Sequence, residues 1–138
     1  MKKPEYILSI DQGTTGTRAG IVNQDGKLVA SRYQEIKQFY PKPGWVEQDP
    51  IEIFESVSNT VGKLLDECKI QFSSITSVGI TNQRETIIAW DKTTGKPVYN
   101  AIVWQCRRTT NYCNLLIDKG LSQTIKNTTG LTIDPYFS

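Results

Sequence analysis

At 138 residues, with 38% hydrophobic and 22% charged side chains, the chain has the composition of an ordinary globular domain, and neither disorder nor a fibrous class fits. A net charge of +2 is too small to mark a nucleic-acid surface, and Arg107-Arg108 is the only adjacent arginine pair. Three cysteines argue against a disulfide framework, and the absence of histidine removes the commonest general base and zinc ligand, which excludes Ser-His and Cys-His catalysis within the chain.

The chain opens on an apolar run that predicts a strand over 6–10, a polar turn, and a second strand over 19–22. The turn carries Asp11, Gly13, Thr14, Thr15, Gly16, Thr17 and Arg18. Gly13 and Gly16 allow close backbone approach and unusual dihedrals, and successive N–H groups form an anion-binding concavity. The threonine hydroxyls add donors, Arg18 adds a permanent positive charge, and Asp11 offers a carboxylate to hydrated Mg²⁺. Together these residue types suit nucleotide phosphates with magnesium. Asp, Gly and Thr also build hairpin turns that hold no ligand, so the turn alone leaves both readings open. It is not a Walker loop, because no lysine follows the second glycine and a strand pattern follows it.

Asp25-Gly26 predicts a hairpin to a third strand at 28–31, giving three consecutive antiparallel strands. Pro41, Pro43 and Gly44 mark a loop that Tyr40 and Trp45 are expected to pin to the core. Asp49 as N-cap, Pro50 at the first helical position and Glu52 at capping-box spacing announce a helix. Its apolar stripe is Phe54, Val57, Val61, Leu64, Leu65 and Cys68, with a close contact expected at Gly62. The helix crosses to a strand at 75–81 in the manner of a parallel pairing. Strands are predicted at 86–90 and 98–104 around a hairpin loop at 91–96, then helices at 105–119 and 121–127, stopped by Gly120 and Gly130. The fold class is therefore α/β. The apolar segment 131–138 is an odd place for a natural terminus, and the expectation is a piece of a larger protein.

Arg84 and Glu85 interrupt a strand-like region with five donors and up to four acceptor sites side by side, the mixture a vicinal diol requires. A solvated surface pair is the alternative. Trp104 and Tyr136 are either core aromatics or the walls of a small polar pocket that covers the carbon face of a polyol.

The stretches Ile10-Asp11-Gln12-Gly13-Thr14-Thr15, Gly44-Trp45-Val46-Glu47, Thr81-Asn82-Gln83-Arg84-Glu85-Thr86, Trp104-Gln105-Cys106-Arg107-Arg108-Thr109 and Asp134-Pro135-Tyr136-Phe137-Ser138 carry a resemblance that covers nearly the whole chain. In this order they resemble the FGGY family of sugar and polyol kinases, and within it the members that act on glycerol. The resemblance implies a ribonuclease H-like, actin-like ATPase domain whose mixed sheet opens on three antiparallel strands and is flanked by helices. Residues 1–138 would be the N-terminal part of the first, substrate-binding domain. It implies ATP, Mg²⁺ and glycerol as ligands, with Asp11 at the metal and phosphate region and Thr14, Thr15, Gly16 and Arg18 on the nucleotide phosphates. Arg84, Glu85 and Tyr136 would hydrogen-bond glycerol, and Trp104 would pack against its carbons.

The reaction implied is phosphoryl transfer from ATP to glycerol, with the aspartate general base and the adenine-binding domain beyond residue 138. The chain alone is therefore expected to be inactive. Two departures from the family pattern stand out: Gly16, where many relatives carry serine, and Gln48, where a histidine is common. A kinase for another polyol or a ketose, and a non-catalytic binding module, are the competing readings. No apolar run approaches the length of a membrane span and the start is too short for a signal peptide, so the expectation is a cytoplasmic protein without membrane insertion or nucleic-acid binding. The resemblance leaves room for a homo-oligomer of the full-length protein.

Overall fold

The computed structural model describes residues 5–137. In chain order the elements are β1 (Tyr6–Gln12), β2 (Gly16–Val22), β3 (Leu28–Glu35), β4 (Glu47–Gln48), α1 (Pro50–Cys68), a 3₁₀ turn (Phe72–Ser74), β5 (Ile75–Asn82), β6 (Ala101–Ile102), α2 (Thr110–Asp118) and α3 (Ser122–Thr129). They divide into two compact units, 1–37 with 49–83 and 38–48 with 84–138.

In the first unit the strands form one sheet in the order β3-β2-β1-β5, antiparallel except for the parallel pair β1 and β5. The three-stranded opening and the parallel return through a helix are as the sequence predicts. Side chains alternate across a strand. On β1 that alternation sends Leu8, Ile10 and Gln12 inward and leaves Asp11 on the opposite, exposed face. Leu8, Ile10, Ala19 and Ile21 meet Leu64 and Leu65 of α1 in the core.

Asp49 caps α1 by accepting the Ile51 N–H at 2.8 Å, while the Glu52 carboxylate takes the Lys37 N–H at 3.1 Å. A buried hydroxyl pair, Thr17 Oγ1 and Ser56 Oγ at 2.6 Å, ties β2 to α1, and Ser56 Oγ also donates to the Ile53 carbonyl. Two expectations for this helix fail. Phe54 is 68% exposed, because the face buried at that level carries Ser56 and Thr60. A Cβ on Gly62 would meet nothing within 4 Å, so no close contact requires that glycine.

The second unit is mostly irregular. β4 and β6 pair antiparallel, and isolated bridges join Phe39 to Glu47, Ile87 to Ile102 and Trp90 to Pro97. The long strands expected at 86–90 and 98–104 thus shrink to bridges and the two residues of β6. Pro97 brings no N–H to the ladder, and Asp91 Oδ1 gathers the Thr93 and Thr94 N–H groups at 2.9 and 2.7 Å, winding the loop between them into a compact turn. Val46, Val103 and Cys106 form the core, with Trp45, Ile102 and Trp104 against it. Tyr40 is 68% exposed rather than pinned, whereas Trp45 lies under the Arg108 guanidinium, 3.9 Å from its ring centre. The three cysteines are free, and Cys106 precedes α2 instead of lying on it.

One charge is fully buried in this unit. The Glu47 carboxylate accepts from Arg108 Nη2 at 2.7 Å, Asn100 Nδ2 at 2.9 Å and Tyr99 Oη at 3.0 Å. Burial pushes its carboxyl up, but the bonds from Asn100, Arg108 and Tyr99 outweigh it, and the net position lies below the ordinary 4.5. A depressed carboxyl contributes stability that is present above its unfolded-state value and is lost as pH falls through the folded one. Glu47→Gln is therefore expected to lower stability by about 3 kcal/mol at neutral pH, since it leaves Arg108 without its counter-charge. The difference from wild type should narrow below the ordinary value of 4.5, as followed by denaturant melts across pH. In the first unit, a side chain on Gly16 would run into the Gln34 carbonyl oxygen of β3 and the Tyr33 ring. Gly16→Ser is expected to destabilise by about 1–3 kcal/mol through this overpacking, and an unchanged melting midpoint would show that β3 yields without strain.

Candidate functional site

The polar turn between β1 and β2 is tighter than the sequence suggests. β2 begins at Gly16, not at residue 19, so only Gly13, Thr14 and Thr15 form the turn and Thr17 and Arg18 belong to the strand. The cause is pairing on both sides of Gly16 to Arg18: Gln12 and Asp11 of β1 stand opposite Thr17 and Arg18, and Glu35, Gln34 and Tyr33 of β3 stand opposite Gly16, Thr17 and Arg18. Inside the turn the Gly13 N–H donates to the Gly16 carbonyl at 2.9 Å, and the Ile36 N–H donates to the Thr15 carbonyl at 3.1 Å. The Gly13 N–H is therefore engaged within the turn and does not face outward as a free donor. Neither Gly13 nor Gly16 has a positive φ, so unusual dihedrals are not their role. Close approach is: the backbone of β3 passes where a Gly16 side chain would stand.

Asp11 and Arg18 face each other across β1 and β2, and both are exposed. Arg18 lies with its guanidinium 5.3 Å from the centre of the Tyr33 ring, and Tyr33 Oη donates to Thr15 Oγ1 at 3.1 Å. Tyr33 thus braces both the turn and the arginine. Sequence reasoning passed over it, since an aromatic late in a strand carries no mark of such a contact until β3 is laid beside β2. Asp11, Thr14, Thr15, Gly16 and Arg18 all sit at this one end of the sheet, presenting a carboxylate, two hydroxyls and a guanidinium. Such a set can meet an oxyanion and a hard cation. Among the described residues no cluster of three or more acidic, cysteine or histidine side chains forms a self-sufficient metal cage.

The second unit holds a cavity of about 180 Å³ whose lining includes Glu85, Trp104, Cys106, Arg108, Tyr136 and Phe137. Three of the four residues expected to hold a polyol are therefore brought to one small hollow. Trp104 and Tyr136 meet edge to face, with ring centres 5.4 Å apart. Arg84 is exposed and is not part of this lining. Glu85 has a left-handed backbone, φ 62°, in a residue that is not glycine. A non-glycine residue in that region is held there at a cost of about 1–3 kcal/mol, and such strain gathers at functional sites.

The cavity wall is stiffened by contacts absent from the sequence expectations. Arg108 Nε donates to Cys106 Sγ at 3.0 Å while its other end reaches Glu47. Burial alone would raise the Cys106 thiol, but the Arg108 bond leads the effects that bring it below its ordinary 9.0. The sequence signal for this group was the adjacency of Arg107 and Arg108 and an acid two residues after Trp45, neither of which identifies a partner.

Residues 6–138 match the N-terminal domain of the FGGY family of carbohydrate kinases. Glycerol kinase 2 of Thermotoga maritima is 54% identical over 134 residues, which are 97% of this chain and 27% of that protein. The crystal structure of Plasmodium falciparum glycerol kinase with ADP superposes with a TM-score of 0.87 at 39% identity, covering 98% of this chain and 27% of that one. A ligand-bound xylulose kinase from Lactobacillus acidophilus shares the fold with a TM-score of 0.86 at 26% identity, over 96% of this chain and 26% of its own. The chain thus spans 27% of the length of the Thermotoga relative. A match that runs from β1 to the Asp134-Pro135-Tyr136 segment, in both sequence and fold, makes this chain a member of the FGGY family of carbohydrate kinases.

Proposed function

We propose that the chain is the N-terminal part of a kinase that transfers the terminal phosphoryl group of ATP to glycerol, giving glycerol 3-phosphate and ADP. The observation that carries this reading is the cavity lined by Glu85, Trp104 and Tyr136: one carboxylate, one phenol and one indole face around a small volume. A polyol offers hydroxyls that give and accept, and a carbon face for an aromatic ring, and this lining supplies both. Arg84, adjacent to Glu85, would contribute further donors.

The turn at Asp11 to Arg18 is the complementary half of the chemistry. Phosphoryl transfer needs positioning and charge neutralisation more than covalent help. Thr14, Thr15 and Gly16 would hold the nucleotide phosphates, and Arg18, kept in place by Tyr33, would balance their charge. Asp11 suits Mg²⁺, which is commonly held by one or two carboxylates together with the substrate's own phosphates. When bound, the ion would neutralise phosphate charge. No residue of this chain is assigned the proton transfer from the attacking hydroxyl; an aspartate beyond residue 138 would take it, and the domain that binds adenine would also lie beyond that residue. A cytoplasmic location fits such an enzyme, and no helix among the described residues is long and apolar enough to cross a membrane.

A coupled ADP-release assay tests the proposal on the full-length protein and on the 138-residue chain, each offered glycerol, erythritol and xylulose. The full-length protein is expected to turn over with glycerol preferred, and the chain alone to show no glycerol-dependent turnover. Preference for xylulose would replace the substrate assignment, and turnover by the chain alone would overturn the placement of the base beyond it. In the full-length protein, Arg84→Ala is expected to raise the glycerol KM by about tenfold or more while the ATP KM stays near wild type, as expected for a lost charged hydrogen bond. Unchanged glycerol kinetics would remove Arg84 from the polyol site.

A further inference from the structure

One wall of the cavity comes from a segment with no regular structure. Pro135, Tyr136 and Phe137 follow Gly130 without entering a helix or strand. A binding wall on such a segment needs an anchor, since a displacement of about 1 Å in a positioning group is enough to cost a large factor in rate. Asp134 is that anchor. Its Oδ1 accepts the Tyr136 N–H at 2.8 Å, and the same oxygen accepts Arg107 Nη1 at 2.8 Å. The Phe137 N–H closes the turn on the Asp134 carbonyl at 3.2 Å.

Arg107 is itself immobilised from both sides. Its N–H donates to the Gly44 carbonyl at 2.7 Å, and its own carbonyl accepts the Thr110 N–H at 3.1 Å and Thr110 Oγ1 at 2.8 Å at the start of α2. The guanidinium therefore reaches Asp134 from a fixed backbone. Both side chains are about half exposed, 54% and 44%. An ion pair so exposed contributes little to global stability, so its effect is local: it sets where the Tyr136 backbone sits. The Tyr136 N–H, opposed by partial burial and aided by Arg107, holds the Asp134 carboxyl below its ordinary 3.8. Tyr136 then stands edge-on between Trp104 and Phe137, with ring centres 5.4 and 4.9 Å away.

We infer that Arg107 and Asp134 are positioning residues for the polyol pocket: Arg107 fixes the Asp134 carboxylate, and that carboxylate fixes Tyr136. This rests on the reading of the cavity as the polyol site. The experiment is a double-mutant cycle in the full-length protein, with Arg107→Met, Asp134→Asn and the double variant. Glycerol KM, ATP KM, kcat and the thermal midpoint are measured for each.

Each single variant is expected to raise the glycerol KM by about tenfold, with kcat changing less than KM, and with the ATP KM and thermal midpoint near wild type. Because one act of positioning is lost in either case, the double variant should be no worse than the worse single, within about twofold. Arg107→Lys should recover most of the loss, as one N–H donor suffices for the bond seen. Singles with wild-type glycerol KM, or effects that multiply in the double, overturn the inference, as does a KM rise matched by a lowered thermal midpoint that Arg107→Lys does not relieve. Tyr136→Phe in parallel separates the two levels. If it raises the glycerol KM while Arg107→Met does not, the positioning inference fails and the polyol site stands. If Tyr136→Phe also leaves the KM unchanged, or the full-length protein does not use glycerol, the site reading fails and the inference falls with it.

Discussion

A carboxylate withdrawn from water must be surrounded by donors, and the second unit is built around that requirement at Glu47. With Glu47 only 2% exposed, three donors converge on it from two stretches of chain, Tyr99 and Asn100 from one and Arg108 from the other. Regular secondary structure is scarce here, and β4 and β6 contribute two residues each. Hydrogen bonds to one buried charge therefore do the organising that a longer ladder would do elsewhere. Because Arg108 also reaches Cys106 and covers Trp45, the same charge reaches the wall of the small cavity. A polar network of this kind rigidifies only when every member is satisfied.

The first unit solves a different problem. Its core is an alternating sheet face closed by α1, and the buried Thr17–Ser56 hydroxyl pair links β2 to the helix. The face opposite that core is the exposed one on β1. Asp11 and Arg18 lie on it side by side, and Tyr33 steadies the arginine and Thr15. The polar turn is short because β2 starts at Gly16, and the glycine is required by the passage of β3, not by a rare backbone angle. Both units therefore use packed neighbours to hold a small number of polar groups.

Much of this architecture was legible before any coordinates. The apolar run of 6–10, the Asp25-Gly26 hairpin, the Asp49-Pro50 helix start and the parallel return at 75 are local or pattern-level signals, and the structure honours them. Where the reading failed, non-local contacts had decided. Phe54 fits the apolar stripe by spacing, yet the buried face at that level is held by Ser56, whose hydroxyl finds Thr17 nearly forty positions away in the chain. Residues 86–90 and 98–104 have strand-like composition, but they pair only through isolated bridges, Ile87 with Ile102 and Trp90 with Pro97.

The sequence by itself determined the α/β class, the membership in a kinase family and the residue types of both polar groups, because each of these is written in periodicity, capping residues and short ordered motifs. Tertiary structure alone decided that Tyr33 braces the polar turn between β1 and β2, that Glu47 and Arg108 pair, and that Asp134 ties Tyr136 to Arg107. It also decided that Glu85, Trp104 and Tyr136 share one hollow while Arg84 lies outside its lining. The physical reason is the same in each case. A side chain's type states what it is able to bond, whereas its partner is chosen by how distant stretches of chain are packed side by side.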